Sequence, residues 1–266
     1  ATVDPKMALA IYLRGNAPEK VVNCFVHMGD FASVAAYARK TGYNPDYVIL
    51  LQNLVRQDPK KAEAFAKLLV AEQPPLVNVG VVVDIFMQLN RIQETTAFLL
   101  EALKGNRPED GPLQTRLLEI NLLGGAPQVA DAIFASEMFT HYDRARVAKL
   151  CEKAGLFQRA LEHSNDPADI KRIILYTQAI NPEFLVNFFA TLSPADALEC
   201  LNSLLQHNLK ANLALVVQIA SKYYEQLTPA ALIDLFERFK SFEGLYYFCG
   251  AVLPFSQDKQ LHFKYI

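Results

Sequence analysis

A chain of 266 residues, 52% of them hydrophobic, is long and apolar enough to bury an ample core as one or two domains. A formal net charge of −2 gives no broad attraction to phosphate backbones or anionic lipid, which argues against nucleic acid as a partner. The longest uncharged run, Gly244 to Gln257, contains Pro254 and is shorter than the roughly 20 apolar residues a spanning helix needs, so membrane insertion is not expected.

Proline sets the rhythm of the elements, because it is tolerated at the first helical position, where its missing N–H has no partner to lose. Helices are predicted near Pro5, Pro18 and Phe31, the second carrying Val21, Val22, Phe25 and Val26 on one face, with Gly29-Asp30 turning the chain. Asn44-Pro45, Asp58-Pro59, Asp166-Pro167, Asn181-Pro182, Ser193-Pro194 and Thr228-Pro229 each pair a capping residue with proline and read as helix starts. Pro74-Pro75 forces a break. The valine-rich run Val79 to Leu89 could pass for a buried strand, but Val82, Ile85, Phe86 and Leu89 fall at helical spacing and favour a helix. Gly105 to Pro112 is a polar break, the one credible place for a domain boundary. Further helices are expected near Pro112 and Pro127, with Gly124-Gly125 between them. The helix at Pro182, apolar nearly all round through Phe184, Leu185, Phe188, Phe189 and Leu192, implies neighbours on two sides.

One unit recurs along this series. Val147, Leu150, Cys151 and Ala154 form one apolar stripe, Gly155 stops it, and Phe157, Ala160 and Leu161 form a second. Two short helices around one glycine fold back as a hairpin, and neither buries its stripe alone. The cadence returns at Val22, Phe25, Gly29, Phe31 and Val34, around Asn90, and around Lys240. Such repetition predicts an all-α chain, an α-solenoid (superhelix) of stacked antiparallel short helix hairpins, with about sixteen helices. Residues 1–266 are expected to form a single array with a weak break at 105–112. The missing initiator methionine, and an end at His262-Phe263-Lys264-Tyr265-Ile266 that reads as another helix beginning, suggest a segment of a longer array.

Candidate chemistry is sparse. Cys24, Cys151, Cys200 and Cys249 form no C-x-x-C pair and read as small core residues, which favours a reducing compartment. Thr140-His141-Tyr142-Asp143 tempts an acid–base reading, but Thr140 followed three residues later by Asp143 is a capping-box arrangement. His27, His163, His207 and His262 lack partners at zinc or triad spacing, and no glycine-rich phosphate loop is present. No catalytic, cofactor or metal residue is therefore nominated, and no enzymatic activity is expected. Aromatic residues crowd the chain from Tyr223 onward. They read as core, or as a groove for a partner helix; Tyr246, Tyr247 and Phe248 cannot all point inward from one helix.

Arg107-Pro108, the run Gly111-Pro112-Leu113-Gln114-Thr115-Arg116-Leu117-Leu118-Glu119, and Pro127-Gln128-Val129-Ala130-Asp131-Ala132-Ile133 closely resemble the leg of the clathrin heavy chain family. So do Met138 to Arg144, Leu150 to Leu156, Ala220 to Tyr223, Phe239 to Leu245 and His262 to Ile266. The likeness covers essentially the whole chain, and Gly124-Gly125 is one residue longer than the family's usual turn. It implies a solenoid of clathrin heavy chain repeats from the ankle and start of the distal leg, a structural part making lateral contacts with other heavy chain legs. Accessory and uncoating factors are implied as further partners, on the cytoplasmic face of coated pits and vesicles. The adaptor-binding propeller, light-chain site and trimerisation region are implied to lie outside it. The competing expectation is a peptide- or helix-binding solenoid of another vesicle-sorting complex, which would show a basic or aromatic groove.

Overall fold

The computed structural model describes residues 4–256, and all regular elements among them are helical. The chain divides into two compact units between Asp143 and Arg144. The first holds α1 (Pro5–Arg14), α2 (Pro18–Met28), α3 (Phe31–Thr41), α4 (Tyr47–Gln57), α5 (Pro59–Ala71), α6 (Val79–Gln88), α7 (Ile92–Ala102), α8 (Gly111–Leu123) and α9 (Pro127–Ala135). The second holds α10 (Arg144–Lys153), α11 (Phe157–His163), α12 (Pro167–Ile173), α13 (Pro182–Phe188), α14 (Pro194–His207), α15 (Leu209–Lys222), α16 (Tyr224–Leu227), α17 (Pro229–Arg238) and α18 (Phe242–Val252). Short 3-10 turns lie at Pro108–Asp110, Thr177–Ala179 and Phe189–Thr191. Eighteen α-helices among the described residues exceed the expected sixteen, the single-turn α16 being one that no proline announces.

The helices start where side chains satisfy orphan N–H groups. Asp58 accepts from Lys61 N at 3.1 Å, Asp166 from Ala168 N at 2.9 Å and Asn181 from Glu183 N at 2.8 Å, each just before a proline at the first helical position. Two predicted starts are corrected. Helix α4 opens at Tyr47 rather than Pro45, because Asp46, not Asn44, caps it by accepting from Ile49 N at 3.0 Å. Thr228 precedes α17 in a left-handed conformation, φ 65°, and makes no side-chain cap bond, so Pro229 alone marks that start. The valine-rich run is helical, as its spacing requires, although Leu89 falls at the helix end and stays exposed.

The hairpin turns share one closure. Gly29, Asn90, Gly155 and Lys240 have φ of 77°, 54°, 78° and 51°. At each, the following residue's N–H reaches back to a carbonyl five residues upstream: Asp30 to Phe25 at 2.9 Å, Arg91 to Phe86 at 3.0 Å, Leu156 to Cys151 at 2.9 Å and Ser241 to Phe236 at 2.9 Å. This is a Schellman closure, which ends one helix and aims the next. Asn16 and Gly125 also have positive φ, and Ala17 to Tyr12 and Ala126 to Asn121 make the same bond, two turns the cadence does not reveal. In the doublet, Gly125 takes the positive φ. Gly124 serves close approach, since a Cβ there would lie 2.8 Å from Ile92 Cδ1.

Fixed turns put fixed pairs face to face. Phe25 meets Tyr37 with centroids 6.2 Å apart, Phe86 meets Phe98 at 6.4 Å and Phe236 meets Phe248 at 5.7 Å, each pair four residues before and eight after the turn residue. Around Gly155 those places belong to Cys151 and His163, both buried. Hairpins then stack in order. In the first unit α2 packs on α3 and α4, α4 on α5 and α6, α3 on α5 and α5 on α7. In the second, α12 packs on α14, α13 on α15, α14 on α16 and α15 on α18. Repeated contacts to a neighbour or to the next helix but one are the arrangement of a solenoid, with Phe65, Phe86, Phe98, Phe236 and Phe248 fully buried between layers.

Candidate interaction surface

The stretch that tempts an acid–base reading is a joint. Residues Thr140 to Asp143 form an irregular stretch, bent at Tyr142, before α10. Thr140 N–H donates to Asn106 Oδ1 at 3.2 Å, His141 N–H to Gln114 Oε1 at 3.0 Å and Asp143 N–H to Thr115 Oγ1 at 2.9 Å. Asn106 Nδ2 donates to Thr140 Oγ1 at 3.0 Å, and Gln114 Nε2 to Asn106 Oδ1 at 2.9 Å. The capping-box expectation is corrected: α10 opens at Arg144, so Asp143 stands just outside the helix and the Thr140 hydroxyl serves Asn106. Gly111 permits the approach, because a Cβ there would lie 2.5 Å from the His141 carbonyl oxygen. The polar loop 105–112 is thus sewn into the first unit by side chains that its sequence does not single out. Asn106, left-handed at φ 44° and followed by a Gln eight residues on, is the signal in hindsight.

Among the described residues no group of three or more His, Cys, Asp or Glu comes together to hold a metal. His27, His163 and His207 lie on α2, α11 and α14, and His262 falls outside the described residues. His163 is buried with Nδ1–H donating to the Arg159 carbonyl at 2.7 Å, and burial holds its imidazole below its ordinary pKa. Cys151, Cys200 and Cys249 are buried thiols and Cys24 is half-buried, a departure from four core cysteines. Burial pushes the Cys200 thiol up to about 11, so it stays protonated and inert at neutral pH.

Polar links tie successive hairpins within each unit. In the first, Arg39 pairs with Glu72 at 2.8 Å and Arg116 with Asp84 at 2.6 Å. In the second, Arg172 grips Glu152 with both Nε and Nη2 at 2.9 and 2.7 Å, Lys171 pairs with Glu199, and Lys222 reaches Asn187 at 2.7 Å. The hydrogen bond to Arg172 holds the Glu152 carboxyl below the usual range, and Glu199 raises the Lys171 ammonium. Exposed pairs of this kind are screened by water and salt, so they fix register more than stability. With 26 Lys and Arg against 28 Asp and Glu, the chain carries mixed charge. On α18, Phe242, Tyr246 and Tyr247 are 72%, 55% and 57% exposed while Phe248 is buried, so two of the three consecutive rings face outward. A mixed-charge surface with a few exposed rings suits many weak contacts.

Residues 71–213 match the family described as "Region in Clathrin and VPS". The chain is 57% identical over 99% of its length to the "Clathrin heavy chain" of Drosophila melanogaster, and 54% identical over 100% to "Clathrin heavy chain 2" of Homo sapiens. The chain belongs to the clathrin family. A plant relative, "Clathrin heavy chain 1" of Arabidopsis thaliana, is 49% identical over 100% of the chain, and the chain spans about 16% of the length of each of these heavy chains. The blocks that carry the clathrin resemblance fall at joints of the fold. Gly111 to Thr115 meets Thr140 to Asp143, Leu150 to Leu156 is a Schellman turn, and so is Phe239 to Leu245. Within that last block Gly244 lets the helix approach, since a Cβ there would lie 2.8 Å from Leu213 Cδ1 and Phe236 Cδ1. The block His262 to Ile266 lies outside the described residues.

Proposed function

We propose that this chain is a leg segment of the clathrin coat, from the ankle and start of the distal leg, making lateral contacts with other heavy chain legs in the lattice on coated pits and vesicles. It works on the cytoplasmic side of the membrane, in endocytosis and vesicle traffic, as a structural part and not as an enzyme. The observation that carries this reading is identity of 57% sustained over 99% of the chain to a clathrin heavy chain. The mixed charge of the chain supports it, since it suits spread, weak contact better than a single strongly charged patch would. Accessory and uncoating factors belong to the same reading as partners that would meet this surface; light chains and the trimerisation contact belong to other parts of a heavy chain. Residues 1–266 are read as one array, because the same closure recurs at Gly29, Asn90, Gly155 and Lys240. An early, preferential protease cut at 105–112 or after Asp143 would count against that.

A chimera tests the role. In the Drosophila heavy chain, replacing the matching stretch with this chain should preserve cage assembly and uptake in depleted cells. Reversing the exposed Lys40, Lys60, Lys149 and Lys210 to glutamate should then cut cage yield with the fold intact. A folded, trimeric chimera that builds no cages would overturn the assignment.

A further inference from the structure

The second unit contains a groove of about 580 Å³ bordered by α11, α12, α13 and α14. Its origin is geometric. Helices α12 and α13 are 7 residues long, whereas α14 and α15 are 14, and α13 runs into the 3-10 turn Phe189–Thr191. Two turns of helix cannot cover the layer beneath, so Leu161, Ile170 and Cys200 form a floor while Phe184, Phe188 and Leu192 remain half-buried along the wall. This corrects the expectation that the Pro182 helix has neighbours on two sides: Leu185, Val186 and Phe189 are buried, and the opposite face lines the opening. Phe184 and Phe188 lie one helical turn apart with centroids at 5.9 Å, which makes the wall a continuous aromatic surface.

Charge narrows the occupant. The charged side chains lining the groove are both carboxylates, Glu162 and Asp196, and no Lys or Arg lines it. Arg159 pairs with Glu162 at 2.9 Å and Lys222 reaches the groove-lining Asn187 at 2.7 Å, whereas Asp196 forms no ion pair at contact distance among the described residues: its carboxylate accepts from the Ser193 hydroxyl at 2.5 Å, and Lys171 acts on it only from farther off. An apolar cleft of this size, with a carboxylate at its rim, complements an apolar side chain carried beside a cation and repels acidic peptides and anionic lipid headgroups. We infer that this groove docks a partner peptide whose bulky apolar anchor packs on Phe184 and Phe188 and whose adjacent lysine or arginine pairs with Asp196. The inference stands or falls without the proposed lateral leg contacts.

The probes are two fluorescent dodecapeptides that share a central Leu-Phe pair, one flanked by lysines and one by glutamates, titrated into the 266-residue chain. Anisotropy should show the lysine peptide binding about tenfold or more tightly than the glutamate peptide, a difference of about 1.4 kcal/mol. The Ile170 methyl resonance should move during the titration. Asp196→Asn should shrink the discrimination to about threefold or less, and Phe188→Ser should weaken the lysine peptide about tenfold with the helical spectrum unchanged. If Phe188→Ser does not fold, the exposed-rim variant Asp196→Asn still decides. No binding at millimolar peptide, equal binding of both peptides, discrimination unchanged by Asp196→Asn, or self-association that already shields the Ile170 methyl would each overturn the proposal.

Discussion

At the scale of the residue, the turn positions are the most constrained. Gly155 sits at φ 78° with nothing within 4 Å of where a Cβ would stand, so substitution there is governed by backbone strain and not by crowding. Gly155→Ala should lower stability by about 1 kcal/mol. Lys240 holds the equivalent place at φ 51°, and Lys240→Gly should raise stability by about 0.5 kcal/mol, the relief of left-handed strain exceeding the added freedom of the unfolded glycine. Opposite signs in urea melts are the expected outcome; a neutral Gly155→Ala would remove the left-handed assignment. His163 carries the other residue-scale expectation. Because burial lowers its folded pKa, its contribution is complete above the ordinary imidazole value near 6.5 and is lost as pH falls from there through the folded value. The urea midpoint should therefore fall between pH 7.5 and pH 5, and His163→Gln should flatten that slope. Equal slopes in the two proteins would mean that other groups set the acid limb.

At the scale of the element, the joint between α8 and the stretch before α10 can be broken from either side. Gln114→Ala leaves the His141 N–H and Asn106 Oδ1 without their shared partner, a loss of about 1–3 kcal/mol. Gly111→Ala drives a Cβ against the His141 carbonyl and should cost about 1–3 kcal/mol. Both act on one contact, so the double variant should lose clearly less than the sum; additive losses would show that they act separately. This joint also marks the limit of what the sequence discloses. Helix existence is legible because it is written locally, in capping residues, prolines and 3.6-residue spacing. The Gly29, Asn90, Gly155 and Lys240 turns are legible because apolar stripes flank them on both sides. The staple from Asn106 and Gln114 to Thr140 and His141 spans about thirty residues and depends on how two loops meet, which no local pattern encodes. The groove is hidden for a related reason: sequence shows that the Pro182 helix is apolar, not that it is too short to be covered.

At the scale of the molecule, stacking of neighbouring helices within each unit makes stability a nearest-neighbour property. Phe65 is fully buried on α5 and stacks on Phe31 with centroids 4.9 Å apart. Phe65→Leu should cost about 1 kcal/mol. By hydrogen exchange, protection should fall most in α3, α4 and α7, which pack on α5, and less in α9. A uniform fall across every helix would indicate a single all-or-none core instead. The shared turn closure has a further consequence, for how such a chain is made. Its bonds join residues five apart, and among the described residues a long side-chain tie such as Tyr223 to Val186 spans only 37 residues. Contacts this local carry little loop-closure entropy and belong to fast folding. A hairpin can close while its successor is still inside the ribosome, each finished layer serving as the template for the next. Order of synthesis and order of folding then become the same order, and a very long chain never has to search for its distant end.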